Sequence, residues 1–467
     1  MVTLNLDFIF TNAAYLARTF ISLYLVRLFN HSLSAVDFGY FVFMVTIMNL
    51  VASTLELGIK PTTIKYASNY YGSDKGNAYL FYGLKVKVLI FLALIVLAKP
   101  ITSLITNYVY KDSHTVIFYG IVLGGIVVFN EFNNIYFSYE KRFKLLNIFY
   151  VLPPMVILAL TFFITVKDLY SVIFIYILGY IISTAAASIG VRWRAILKAR
   201  NIRKPESFWS LGKWMIFGYI VESIAVKIDI LMLKGYVDVS KLGEYFIAYK
   251  MMIPLMIVSS SIATLIFPDI SRKRFEDSRK NIAIQTLSQN SLFVLPAGAL
   301  TLALLPSFIR LIADLKKFNY DDIYLCGIIL VAGGIFSALR TGTGFIMMNF
   351  MKPRILGIAS IVNIISNVLL NIILIPRYSI YGAAIATALS YAAMFLFEWA
   401  VIFKRIERIV LREIALNFSV AVIMYLLISS LFSVSHVFIR VILKAGLGML
   451  IFFSYFFIRK RTLTLNA

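Results

Sequence analysis

The sequence predicts an all-α polytopic membrane protein, with about fourteen transmembrane helices in two parallel six-helix lobes plus two extra C-terminal helices. Three observations predict it. Apolar stretches of about 20 residues, the length that crosses a bilayer as a helix, recur fourteen times along the 467 residues. Hydrophobic residues make up 61% and charged residues only 14%, where soluble domains carry about a quarter charged. Local patterns of the first half also return in the second at a nearly constant offset.

In chain order the apolar stretches lie at 8–29, 38–59, 84–106, 115–138, 145–166, 169–190, 209–233, 243–266, 283–306, 323–348, 355–375, 380–403, 411–432 and 437–458. The linkers between them are short and leave no room for a soluble catalytic domain. The first stretch lacks a preceding basic segment and a small-residue cleavage site, so it reads as a retained helix rather than a signal peptide. Cys326 is the single cysteine, which excludes an intramolecular disulfide and reads as a small packing residue. His31, His114 and His436 lie in short loops without ligand spacing, so no metal site or other cofactor is expected.

The repeat is visible in four matches. Gly39 and Gly243 are 204 apart, Pro61 and Pro268 are 207 apart, Lys144 and Arg354 opening spans five and eleven are 210 apart, and Leu178-Gly179-Tyr180 and Leu389-Ser390-Tyr391 are 211 apart. Each repeat holds an even number of spans, so the halves share one orientation, a transporter design that places substrate near the midplane between them. The resulting organisation is an N-terminal lobe (1–205), a C-terminal lobe (206–408), and an additional helix pair with a basic tail (409–467).

Net charge is +23, which in a soluble chain would point to nucleic acid. Placing the charges removes that reading. From the second linker onward, 29 Lys and Arg follow even-numbered spans, the tail included, and 9 occupy the other linkers. This is the positive-inside bias, and it puts both termini in the cytoplasm of a multi-pass inner-membrane protein.

Family-like segments are diffuse but spread along the chain. They are Leu33-Ser34-Ala35-Val36-Asp37-Phe38-Gly39 and Leu57-Gly58-Ile59 around span two, Lys227-Ile228-Asp229-Ile230-Leu231-Met232-Leu233 followed by Leu242-Gly243-Glu244-Tyr245, and Ile375-Pro376-Arg377 leading into Tyr381-Gly382-Ala383-Ala384-Ile385-Ala386-Thr387. Together they resemble the multidrug/oligosaccharidyl-lipid/polysaccharide exporter superfamily, and within it the polysaccharide flippases of the O-antigen type. The resemblance implies that a polyprenyl-diphosphate-linked oligosaccharide is moved from the cytoplasmic to the outer leaflet by alternating access. It also implies that the two extra helices accommodate the lipid tail, and that membrane lipids and polysaccharide assembly proteins are the partners.

Ionisable residues at bilayer depth cost about 2.5–3.5 kcal/mol each on insertion scales, so they face a cavity or a partner. Thr11, Tyr15, Arg18 and Ser22 share one face of span one. Tyr219 and Glu222 lie 204 beyond Tyr15 and Arg18, and Asp229 follows Glu222 on the same face. Arg18 either binds a diphosphate bidentately, with Glu222 or Asp229 as its partner between substrates, or forms a permanent ion pair clamping the lobes. In span two Thr46, Asn49, Ser53, Glu56 and Lys60 form a polar stripe ending in an i, i+4 pair. Glu131 among Asn130, Asn133 and Asn134, and Arg340 beside Ser337 and Thr341, are equivalent clusters 210 residues apart. These read as cavity lining or interhelical hydrogen bonding, as does the Asn363, Asn367, Asn371 ladder. Lys250 and Lys227 can add positive potential to a vestibule. Arg27, Arg440 and Lys444 are expected to snorkel. The substrate-site candidates are therefore Arg18, Asn49, Glu131, Glu222, Asp229, Lys250 and Arg340.

No phosphate-cradling glycine loop, Ser/His/Asp set or carboxylate-rich metal motif occurs, so a transporter is expected rather than an enzyme. The rival readings are a cation-coupled multidrug exporter of the same superfamily and a polysaccharide polymerase or ligase. Arg18, Arg340 and Lys250 argue against the first, which would need an acidic cavity. The lack of a long outer loop argues against the second.

Overall fold

The computed structural model describes residues 6–201, 220, 224, 227–259, 276–350, 354–403, 408–430 and 436–465, and every element among them is helical. The helices are α1 (Leu6–Ser32), α2 (Ala35–Thr54), α3 (Ile59–Asn69), α4 (Asp74–Tyr108), α5 (His114–Tyr139), α6 (Phe143–Leu160), α7 (Leu169–Ile189), α8 (Trp193–Lys198), α9 (residues 227–236), α10 (Val239–Lys250), α11 (residues 253–259), α12 (Glu276–Ile312), α13 (Tyr320–Phe350), α14 (Arg354–Phe403), α15 (Arg408–Ser430) and α16 (Val437–Leu465). Eleven helical spans among the described residues are long and apolar enough to cross a membrane. One of them, Ile355–Ile402, contains both stretches that the sequence reads separately, as two helices divided at Ser379. The stretch 8–29 falls on α1, and most of 209–233 lies outside the described residues.

Local chemistry explains where helices begin and bend. Ser34 caps α2 by accepting from the Asp37 amide at 3.0 Å. Asp168 and Ser171 form a reciprocal capping box at the start of α7, which satisfies amides that have no intrahelical partner. Between the expected spans eleven and twelve the helix is interrupted, and two helices meet at a sharp kink. Pro376 lacks an amide hydrogen to continue the ladder, and Ser379 takes φ 53°, ψ −133°. Gly382 makes the kink possible, because a Cβ there would lie 2.3 Å from the Leu374 carbonyl oxygen.

The expected single span 38–59 is also broken. α2 ends at Thr54, Leu57 and Gly58 take φ 47° and 62°, and α3 restarts at Ile59. This break removes Glu56 from the helix and so changes its partners.

The chain divides into two compact units, Met1–Gly243 and Glu244–Ala467. In the first, α2 and α4 pack on α5, and α6 packs on α1 and α7. Gly120 and Gly124 of α5 allow the α2 approach: a Cβ at Gly124 would sit 2.7 Å from Val51 Cβ, the close backbone packing that small residues permit between membrane helices. A ring cluster of Phe29, Phe41 and Tyr176 fills one end of the unit. In the second unit α13 packs on α14, and α12 on α13, α15 and α16. Outward faces are apolar, as with Leu92, Val96 and Leu104 on α4 and Phe418, Leu426 and Phe453 on α15 and α16. Such faces suit lipid, where the hydrophobic effect does not select against exposure. Arg27 is exposed, in line with snorkelling, whereas Lys444 is buried, because α16 turns that position toward protein.

Candidate functional site

In the first unit the turn at residues 55–58 organises a charged network. Glu56 stands just before α3, where its Oε1 accepts from the Lys60 amide at 2.8 Å, a carboxylate at a helix N-terminus. Its Oε2 accepts from Lys87 Nζ at 2.7 Å. Lys87 is fully buried and also donates to the Val128 carbonyl at 3.2 Å. The expected Glu56–Lys60 side-chain pair is therefore replaced, because the two residues no longer share one continuous helix. The Lys60 ammonium reaches Glu131 Oε2 at 2.9 Å, and Asn134 donates to the other Glu131 oxygen at 3.0 Å. This pair is accessible, with side-chain exposures of 40% for Lys60 and 31% for Glu131.

Arg18 joins the same neighbourhood through aromatic rings. Its guanidinium lies 4.0 Å from the centre of the Tyr150 ring, and Tyr15 meets that ring edge-on at 4.9 Å. Tyr150 lies in the field of Arg18, Glu131 and Lys60, and Tyr180 in that of Arg18 and Glu131. Arg18, Lys60 and Lys87 thus gather with Glu56 and Glu131, three cations against two carboxylates. Asn49 spends a donor on the Val45 carbonyl of its own helix at 2.7 Å, as Thr46 and Ser53 do on theirs. Asp229 is buried, with Lys227 in its field. Glu222, the other proposed partner of Arg18, lies outside the described residues.

One end of this unit is pinned by the loop before α5. Asp112 accepts from Lys234 of α9 at 2.9 and 3.0 Å and from the Tyr40 hydroxyl at 2.8 Å. The Tyr110 hydroxyl donates to the Leu231 carbonyl at 2.7 Å. Partial burial pushes the Asp112 carboxyl up, but the Lys234 and Tyr40 hydrogen bonds outweigh it and bring it from 3.8 down to about 2.

The second unit is chemically different. Arg340 Nη1 approaches the Met394 sulfur at 2.9 Å and Glu398 Oε1 only at 3.9 Å. Glu398 is completely buried; the Thr343 hydroxyl donates to its Oε2, while Oε1 has no hydrogen-bond partner. Lys250 ends α10 with its ammonium 4.6 Å from the centre of the Phe246 ring. The Asn367–Asn371 rung of the asparagine ladder is a direct hydrogen bond of 2.9 Å. An apolar cavity of about 440 Å³ opens among α12, α13, α14 and α15, lined by residues such as Leu295, Phe336, Phe395, Trp399 and Phe418.

Lys87 and Glu398 are the residues that sequence reasoning misses. By linker arithmetic Lys87 belongs with the linker cations, and only the partner in the turn at Glu56 makes it a buried one. Glu398 carries the same signal as Glu131, a carboxyl inside an apolar stretch, but spacing cannot supply its partner, because Arg340 lies on another helix.

Residues 25–314 match the model of the family described as polysaccharide biosynthesis protein. The chain belongs to this polysaccharide biosynthesis family. Lys60, Lys87, Glu131, Asp229 and Lys250 fall inside the matched family stretch, and Arg18, Arg340 and Glu398 outside it. A probable low-salt glycan biosynthesis flippase of Haloferax volcanii is 24% identical over 199 residues, covering 42% of this chain and 42% of that relative. Among solved structures, the lipid II flippase MurJ in its inward closed conformation superposes with a TM-score of 0.81 at 16% identity, over 98% of this chain and 99% of that one. An inward-facing multidrug transporter of the MATE family gives 0.63 at 13% identity, over 84% and 95%. The family member described here thus has the fold of these membrane transporters.

Proposed function

We propose that the chain is a flippase, moving a polyprenyl-diphosphate-linked oligosaccharide across the cytoplasmic membrane by alternating access. The observation that carries this reading is the net-cationic cluster of the first unit, set within a family of polysaccharide biosynthesis. A diphosphate needs positive charge in a site that water leaves, since carboxylates alone would repel it. Arg18 offers a planar fork for two phosphate oxygens, and the Tyr150 ring holds that fork in place. Lys60 is accessible and can exchange Glu131 for a phosphate oxygen, while the buried Lys87–Glu56 pair keeps the turn beneath it rigid. The apolar cavity of the second unit suits an isoprenoid chain, and α15, one of the two extra helices, supplies part of its wall. The basic linkers favour cytoplasmic termini, so the lipid would load from the side on which it is assembled. Polysaccharide assembly proteins are the natural neighbours of such a step. The Haloferax relative supports the substrate class, and the chemistry is transport, with no bond made or broken by the protein.

The test is flipping in reconstituted vesicles, using a short-chain fluorescent prenyl-diphosphate-linked oligosaccharide and a membrane-impermeant lectin as reporter. The wild-type chain should expose the probe to lectin. Arg18→Ala should slow this by more than about tenfold, a loss of about 1.4 kcal/mol or more, and Arg18→Lys should recover part of it. Wild-type vesicles that leave the lipid in place but expel a cationic dye would replace this reading with the multidrug exporter.

A further inference from the structure

Glu398 is a carboxylate in an unusual position. It is fully buried, yet its Oε1 accepts no hydrogen bond and its cationic neighbour stands 3.9 Å away. Arg340 compensates it only from a distance: the Nη1 nearest the carboxylate lies 2.9 Å from the Met394 sulfur, and a third of the Arg340 side chain is exposed. The guanidinium is therefore shared between a buried anion and an open face. A buried carboxylate is stable only while a cation or hydrogen-bond donors compensate it, and otherwise it neutralises by taking a proton.

We propose that Glu398 is a proton site linked to anion binding at Arg340: when an anionic group draws the guanidinium toward the open face, Glu398 takes up one proton. This rests on the reading of the chain as a transporter of a diphosphate lipid. The proton comes from water reaching the exposed side of Arg340 and ends on Oε1, so the carboxylate becomes a neutral carboxyl. Thr343 remains on Oε2, and its hydroxyl lies 2.9 Å from the Arg340 carbonyl. The donor set suits a proton rather than a metal cation, which wants about six oxygen ligands. Glu398 offers two, Thr343 one, and the flanking side chains on α14 are Met394, Phe395 and Trp399.

The surroundings leave Arg340 in control. Among the described residues it is the only charged group acting on Glu398. α12 and α15 meet this region through Leu287, Val410 and Ile414, packed in one cluster with Ile402 and Trp399. On α15, among the described side chains, the nearby titratable residues are Arg412, which is exposed, and Glu413, which pairs with Arg459. On α12, Glu276, Asp277, Arg279 and Lys280 precede Leu287 by at least seven residues, about two turns, and Arg310 lies near the opposite end. By linkage, an anion that removes the Arg340 charge strengthens proton binding, and a bound proton strengthens anion binding by the same factor.

Infrared spectroscopy of the full chain in lipid tests both halves. In Arg340→Ala at neutral pH a carboxylic C=O band should appear that is missing from Arg340→Ala/Glu398→Gln. Arg340→Gln, which keeps the side-chain bulk, should show the same band if the alanine variant folds poorly. If neither variant shows it, the proton site is overturned whatever the protein transports. Inorganic pyrophosphate added to wild type, with binding followed by calorimetry, should produce the same band and take up about one proton per pyrophosphate. Pyrophosphate binding without band or proton uptake overturns the linkage. A band in the Arg340 variants together with no pyrophosphate binding to wild type keeps the proton site and overturns the anion-binding reading instead.

Discussion

The two units solve the same problem in opposite ways. Both carry ionisable residues within apolar segments, Glu56 and Glu131 beside Lys87 and Lys60 in the first and Arg340 and Glu398 in the second. In the cluster of the first unit both carboxylates take a direct ammonium hydrogen bond, Glu56 from Lys87 at 2.7 Å and Glu131 from Lys60 at 2.9 Å. In the second, Glu398 has Arg340 at 3.9 Å, one hydroxyl, and one oxygen without a partner. A directly paired buried carboxylate holds structure together, whereas a half-paired one is poised to change its state. The contrast separates the buried Lys87–Glu56 pair, which holds its turn, from the Arg340–Glu398 pair, which can part.

The sharpest way to break the comparison is to neutralise each unit's buried pair from one side. Lys87→Met strands Glu56, which is 12% exposed, and removal of one member of a buried pair costs about 3–5 kcal/mol. The variant should lose much of its folded yield and melt well below wild type, and adding Glu56→Gln should recover most of the loss. Glu398→Met should do the reverse. It removes a carboxylate that is poorly compensated, and it leaves Arg340 with an exposed face and Thr343 within reach of the Arg340 carbonyl. Replacement of such a group by an apolar side chain is often neutral or stabilising by about 1–4 kcal/mol, so the melting temperature should hold or rise. A large loss in Glu398→Met, equal to that of Lys87→Met, would erase the distinction between the units.

The same comparison can be sharpened within the first unit. Lys60 and Glu131 form an ion pair about one-third exposed, so solvent screens it and each single neutralisation should change stability by less than about 1 kcal/mol. Lys60→Met should nevertheless slow flipping in the vesicle assay far more than it lowers the melting temperature. If stability and transport fall together, Lys60 is structural and belongs with Lys87.

The smallest expected effect concerns the Asp112–Lys234 contact. Its carboxyl lies near about 2 in the folded chain against an ordinary 3.8. A depressed carboxylate contributes stability that is fully present above the ordinary value and is lost as pH falls through the folded value. Wild-type stability should therefore be insensitive to this group near neutral pH and decline between about pH 4 and 2. Asp112→Asn should show less of that decline. Because Asp112 is 55% exposed, the difference should be small, and melting curves at pH 6 and pH 3 would measure it.

Much of the fold is legible in the chain, because apolar length and charge asymmetry are properties of consecutive residues. The stretches at 115–138 and 169–190 fall on α5 and α7 almost residue for residue. The candidate site is legible only in part. Arg18, Glu131 and Arg340 stand out as charges in apolar helices, and their depth alone signals a partner or a cavity. Their partners do not follow from spacing. Arg18 meets the Tyr150 ring, Glu131 meets Lys60 across 71 residues, and Glu398 meets Thr343 across 55.

The sequence by itself determined what the bilayer dictates: helices long enough to span and polar linkers between them. Those features depend on a chain's own backbone hydrogen bonds and on transfer of each residue from water, and both act locally. Tertiary structure decided which charges meet. The break at Leu57 and Gly58 takes Glu56 out of register with Lys60 and hands it to Lys87, turning a presumed linker cation into a buried one. The kink at Pro376 and Ser379 divides α14 into two helices where the sequence reads two spans. Ion pairing weakens with distance, so a turn of four residues was enough to give Glu56 to Lys87 and leave the Lys60 ammonium to Glu131.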